Sequence, residues 1–168
     1  MPYDPKIHHR RSHRLPGYDY SQPGEYSVTI CTENKEHLFG QVVEGEMRRN
    51  ELGNYVALCW EWLEQHYSYV ELDEWIVMPN HLHGILLITN GRGGSRTAPT
   101  KRKPLGRLVG AFKTASTDWY NQQRGTPGAP LWQRDFYDHI IRNEDELNKI
   151  REYIRTNPPR WGSDPEDM

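Results

Sequence analysis

An α+β sandwich is the fold class this sequence predicts, and three observations carry the prediction. Short β-rich stretches lie near residues 26–32, 72–78, 81–89 and 131–141. Two segments with helical spacing of apolar residues separate them. A third helical segment follows the last stretch. Strand and helix signals in the order β-α-β-β-α-β are those of a ferredoxin-like split βαβ sandwich, an antiparallel sheet with helices on one face. The other face is then left for the C-terminal helix.

The elements follow in chain order. Residues 1–24 contain Pro2, Pro5, Pro16, Gly17, Pro23 and Gly24 and read as an irregular basic arm. Tyr26 to Thr32 alternates and is rich in β-formers, as a strand requires. From Glu51 to Gln65, Leu52, Val56, Cys59 and Leu63 recur at helical spacing and mark a core stripe. Leu72–Met78 and His81–Thr89 are two strands joined by Pro79-Asn80, a turn dipeptide. Asn90–Pro104 is a basic loop, and Leu105, Leu108, Phe112, Ala115 and Trp119 set out a second helix. Leu131–Ile141 contains the fourth strand. Asn143 then caps a helix whose first turn holds Glu144, Asp145 and Glu146, where the helix dipole favours acids. Pro158-Pro159 ends it. The predicted division is a basic arm at 1–24, a catalytic domain at 25–161 and a tail at 162–168.

Composition narrows the function. With 168 residues the chain suits one domain. It has no apolar leader at its start and no run long enough to span a membrane, so a cytoplasmic protein is expected. Cys31 and Cys59 make neither a CxxC pair nor a zinc spacing and read as reduced core thiols. The net charge of -2 does not by itself suggest a nucleic-acid partner. Its distribution does: Trp75 to Thr117 holds no Asp or Glu but contains Arg92, Arg96, Lys101, Arg102, Lys103, Arg107 and Lys113. Segregation of this kind builds a positive face on an acidic protein.

The chemistry centres on His81-Leu82-His83. Residues i and i+2 of a strand point to one face, so two imidazoles stand side by side, near enough to share one divalent cation. Leu82, Leu86 and Ile88 point into the helix-covered core. Gly84 removes bulk beside the pair. Two strand histidines are also common as plain surface residues. A cupin-like site is disfavoured because no acid follows until Asp118. On the last helix Leu147, Ile150 and Ile154 form an apolar stripe, with Tyr153 and Asn157 at i and i+4 on its edge. If that stripe covers Ile85 and Leu87, Tyr153 and Asn157 come close to the histidines. Asn157 can then offer its amide oxygen as a third ligand, or simply cap the helix. A cation at the pair would neutralise a phosphodiester, and Tyr153 could attack it to form a phosphotyrosine.

These motifs resemble the single-tyrosine HUH transposases: WIVMPNHLHGILLI (75–88), LWQRDFYDHIIRNEDEL (131–147) and REYIRTNPPRW (151–161). HHRRSHRLPGYDYSQPGEYSVTICT (8–32) resembles more narrowly the REP-associated tyrosine transposases. The resemblance implies that His81, His83 and Asn157 hold Mg²⁺ or Mn²⁺ and that Tyr153 is the nucleophile. It implies single-stranded or hairpin DNA as substrate, from palindromic repeats, cut and rejoined. A nucleoid-associated monomer or homodimer is expected. Tyr137 and His139 read as structural or DNA-contacting. Arg10, Arg11 and Arg14 are candidates for base contacts, Arg102, Lys103 and Lys113 for phosphates, and Tyr18, Tyr20 and Trp132 for base stacking. Two alternatives stay open: a hairpin-binding module without catalysis, and a metal hydrolase that uses water.

Overall fold

The computed structural model describes residues 15–91 and 102–163. Among these residues six strands and three α-helices run in the order β1 (Gly24–Cys31), β2 (Gly40–Val43), β3 (Glu46–Arg49), α1 (Glu51–His66), β4 (Val70–Met78), β5 (His81–Ile88), α2 (Leu105–Arg124), β6 (Tyr137–Ile141) and α3 (Glu144–Arg155). The main sheet is antiparallel with strand order β4-β5-β1-β6. This is the expected α+β sandwich.

The sheet has two apolar faces, and strand alternation explains both. Tyr26, Val28 and Ile30 of β1, with Leu82, Leu86 and Ile88 of β5, pack under α1 and α2 against Val56, Trp60, Leu63, Leu108 and Phe112. On the opposite face Ile85 and Ile141 meet Leu147 and Ile154 of α3, with Ile76, Leu87 and Ile150 around them. The α3 stripe thus covers the face that α1 and α2 leave open.

Gly84 serves the helix-covered side rather than the histidines. A Cβ there would lie 2.9 Å from the Trp75 Cβ and 3.0 Å from the Trp60 ring. The Gly84→Ala variant overpacks this spot. Its unfolding free energy is expected to fall by about 1–3 kcal/mol, read by thermal or denaturant melts.

One feature departs from the sequence expectation. A β2–β3 hairpin stands where no strand was expected. Its two-residue turn, Glu44-Gly45, has φ of 52° and 77°, as a type I′ turn demands. The fourth strand lies within 131–141 as expected, where Tyr137–Ile141 pairs with β1. Leu131 and Trp132 instead dip into the core, with a single bridge from Trp132 to Thr32. The intervening carbonyls of Gln133, Arg134 and Asp135 all accept from Lys113 Nζ. Helix α2 ends at Arg124, where Gly125 closes it in the left-handed conformation.

Both cysteines are buried and unbridged, and burial pushes the Cys59 thiol up to about 11. Among the described residues no helix is long and apolar enough to cross a membrane.

Candidate active site

Strand register brings the chemistry together on the α3 side of the sheet. Directly paired antiparallel residues share a face. Ile76, His83, Thr29 and Tyr137 therefore form one row across the sheet, and Met78, His81 and Cys31 form the next. His81 and His83 are both buried, at 2% and 8% exposure. Exposed surface histidines would not be enclosed in this way, so burial separates the pair from that bland alternative.

Each imidazole is oriented by a neighbour. Asn80 Oδ1 lies 2.8 Å from His81 Nδ1. An N–H at Nδ1 donating to that amide oxygen puts the lone pair on Nε2, the tautomer a metal ligand through Nε2 needs. His83 Nε2 lies 3.1 Å from Ser27 Oγ on β1. When that nitrogen donates to the serine, Nδ1 keeps the lone pair.

Docking of α3 delivers the other groups. Its start is fixed by Asn143, whose Oδ1 accepts from the Glu146 amide. Burial of Leu147 and Ile154 supplies the docking energy. Two ion pairs set its register. The register shift between Leu72 and Trp75 of β4 makes a bulge that carries Asp73 and Glu74. Arg151 Nη2 reaches Asp73 Oδ2 at 2.5 Å, and Arg155 Nη2 reaches Glu74 at 3.0 Å. Arg151 and Arg155 are i and i+4, flanking Tyr153 on the same helix.

Hydrogen bonding from Arg151 holds the Asp73 carboxyl below its ordinary value, against the opposing effect of its desolvation. A carboxylate depressed in the folded state contributes stability above its unfolded pKa, about 3.9. That contribution is lost as pH falls through the lower folded value. The Asp73→Asn variant is expected to melt below wild type at pH 7. The gap should be unchanged down to about pH 5 and close in stronger acid. A gap that persists at the acid end would remove the ion pair from the account.

Tyr153 stands half-buried with its ring centroid 5.5 Å from that of His83. Beyond α3 the chain makes a 3-10 turn, Pro158–Arg160. Trp161 then stacks toward His81, with centroids 6.3 Å apart and planes at 26°. His37 meets the other part of Trp161 at 5.3 Å. The stretch from Tyr153 to Trp161 therefore runs from one histidine to the other, and Asn157 lies on it.

Asn157 is 5% exposed and, at the start of the 3-10 turn, makes no side-chain cap. Its Oδ1 is buried with no hydrogen-bond partner. An orphaned amide oxygen of this kind is destabilising by about 1–3 kcal/mol unless something accepts its lone pairs. Among the described residues no three His, Cys, Asp or Glu side chains gather to hold a metal ion. A cation at the histidine pair needs a donor of another type, and the Asn157 amide oxygen is of that type. Two imidazoles and an amide oxygen are donor types that a divalent cation accepts.

The remaining sequence candidates divide. Tyr137 shares the His83 row and is 46% exposed. His139 is hydrogen-bonded to Glu146 of α3. Trp132 corrects the expectation of a stacking surface: it is 5% exposed, packs on Phe39 and Phe112, and donates to Ser116 Oγ. A base could reach it only by opening the core. Lys113 is tied to the three carbonyls named above, so its ammonium serves the 133–135 segment. Arg102 donates to the Ser21 carbonyl, and the exposed Lys103 lies over the Tyr67 ring. Tyr18 and Tyr20 pack with Tyr26. The part of the 1–24 arm that is described is thus fastened to the core. Arg10, Arg11 and Arg14 lie outside the described residues.

Arg160 and Trp161 were not singled out by the sequence reading. Both follow the Asn-Pro-Pro that ends α3, and a charged and an aromatic residue just past a candidate ligand was the available signal.

No family model matches the sequence. An uncharacterized protein of Haemophilus influenzae is 40% identical over 173 residues, spanning 96% of this chain and 95% of that one. Among solved structures, a REP-associated tyrosine transposase bound to a REP hairpin superposes with a TM-score of 0.57 at 18% identity, over 88% of this chain and 73% of that chain. At that identity the likeness is one of fold.

Proposed function

This chain belongs to one family with the Haemophilus influenzae protein, and from that premise and the site's geometry we propose that it is a DNA-strand nuclease of the HUH single-tyrosine transposase type. The observation that carries the reading is the approach of Tyr153 to the buried His81/His83 pair. A histidine pair alone is unspecific. A helix that brings a half-buried tyrosine against one of the two, with a buried amide oxygen in the turn just beyond it, supports the reading.

In this reading His81, His83 and Asn157 hold the divalent cation. When bound, it neutralises the charge of a phosphodiester and so opens the phosphorus to attack. Two imidazoles and one amide oxygen are a mixed donor set, which makes Mn²⁺ the first ion to try beside Mg²⁺. Asn80 and Ser27 orient the imidazoles. The bulge acids Asp73 and Glu74 hold α3, and with it the Tyr153 hydroxyl, over the sheet. Tyr153 Oη forms a bond to phosphorus as the bond to the 3′-oxygen breaks. The phenol proton is lost and the departing 3′-oxygen gains one. The phosphotyrosine keeps the phosphodiester energy, so the strand can be rejoined by the reverse attack.

Hairpin DNA is the substrate to test first, because the neighbour of like fold is bound to a REP hairpin. Arg10, Arg11, Arg14, Arg102 and Lys103 are the proposed DNA contacts. The deciding experiment incubates a labelled hairpin with single-stranded flanks and Mn²⁺ or Mg²⁺. A denaturation-resistant protein–DNA adduct that chelator prevents is expected. Tight binding without cleavage would favour the hairpin-binding module, and cleavage without adduct the water-using hydrolase.

A further inference from the structure

We propose that Arg160 is a positioning residue for strand cleavage, holding the Tyr153 ring in place for attack. This rests on the proposed role of Tyr153 as the nucleophile. The Arg160 guanidinium carbon lies 4.2 Å from the centroid of the Tyr153 ring, a close cation–π stack. The same side chain donates from Nη2 to the Tyr153 carbonyl at 2.8 Å and from Nε to the Thr156 carbonyl at 3.2 Å. Arg160 therefore grips both the main chain and the ring of one residue. The His83 ring meets that phenol ring at 64°, so the tyrosine has a partner on the histidine side as well.

The turn that carries Arg160 is itself stiff. Pro158 and Pro159 restrict its backbone, and Pro159 rests against Gly45 of the β2–β3 hairpin. In-line displacement requires the phenol oxygen to be presented at close range in one orientation. A tyrosine at the last turn of a helix has two free side-chain torsions, and the planar guanidinium restricts both. An arginine that only capped α3 would satisfy the last carbonyls without lying on the ring. Lysine keeps the charge but lacks the planar fork that makes both hydrogen bonds and the stack.

The test uses the full chain, a hairpin oligonucleotide with single-stranded flanks, and Mn²⁺. Melting curves first establish that Arg160→Ala and Arg160→Lys are folded. At saturating hairpin, the rate of adduct formation is expected to fall ~10- to 100-fold in Arg160→Ala. Hairpin Kd should stay within about twofold, because a positioning group acts on the rate at saturation. Arg160→Lys should recover part of the rate. A folded Arg160→Ala with the wild-type rate, or with a loss confined to Kd, overturns the proposal.

A second readout does not depend on cleavage. NMR of ¹³C-tyrosine-labelled protein, with Tyr153 assigned by its absence in Tyr153→Phe, should show the ring resonances move in Arg160→Ala and stay in Lys149→Ala. Unmoved resonances in Arg160→Ala overturn the clamp even if the protein cuts DNA. Moved resonances in a protein whose wild type forms no adduct support the clamp and overturn the nuclease reading instead.

Discussion

The Tyr153→Phe variant is expected to bind hairpin DNA and divalent cation as wild type does and to form no covalent adduct. The substitution removes one oxygen from a half-buried ring and leaves the phenyl group on His83 and under Arg160. Packing is preserved, so melting temperature should barely change. The loss of chemistry should be complete within the limits of detection, a fall of at least ~10³-fold, because a missing covalent nucleophile has no partial substitute. Tyr137 stands in the His83 row of the sheet. Residual adduct in Tyr153→Phe that vanishes in the Tyr137→Phe, Tyr153→Phe double variant would move the nucleophile to β6.

The second large effect is expected at Asn157, and stability and metal binding should move in opposite directions. Its buried Oδ1 has no hydrogen-bond partner. Leucine is near in volume and has no polar atom to leave unsatisfied. Asn157→Leu should therefore stabilise the metal-free protein, by about 1–2 kcal/mol. It should also weaken Mn²⁺ binding at least ~10-fold by removing the proposed third donor, with cleavage falling alongside. Calorimetric titration with Mn²⁺ and denaturant melts in chelator read the two effects separately. A variant that is destabilised and binds Mn²⁺ normally would make Asn157 a packing residue. The trade is the usual signature of a functional polar group kept in a dry place.

Much of this site was readable before any coordinates, for a reason particular to its elements. The His81/His83 pair needs only the two-residue period of a strand, and Leu147, Ile150 and Ile154 need only the helical period. The patterns made the Tyr153 approach conditional on the stripe covering the open sheet face, and α3 packs there. The hairpin β2–β3 was not readable. Its strands are four residues each and carry no alternating apolar face, and the Glu44-Gly45 turn is a weak signal without them. The fourth strand was legible within 131–141, but its start was not, because Leu131 and Trp132 are drawn into the core. Burial of a tryptophan is decided by what surrounds it, here Phe39, Phe112 and Ser116 from distant parts of the chain. The bulge at Asp73-Glu74 was likewise hidden. Only the finished register shows that those acids meet Arg151 and Arg155.

The central claim is that Tyr153 becomes covalently joined to a DNA strand, and the measurement that tests it most directly maps the joined residue. Wild-type protein is incubated with hairpin DNA and Mn²⁺, digested with protease and nuclease, and the nucleotide-bearing peptide is sequenced by mass spectrometry. The account predicts one modified peptide, with the phosphodiester on Tyr153. A nucleotide on Tyr137 or any other residue, or cleaved DNA with no modified peptide, would contradict it.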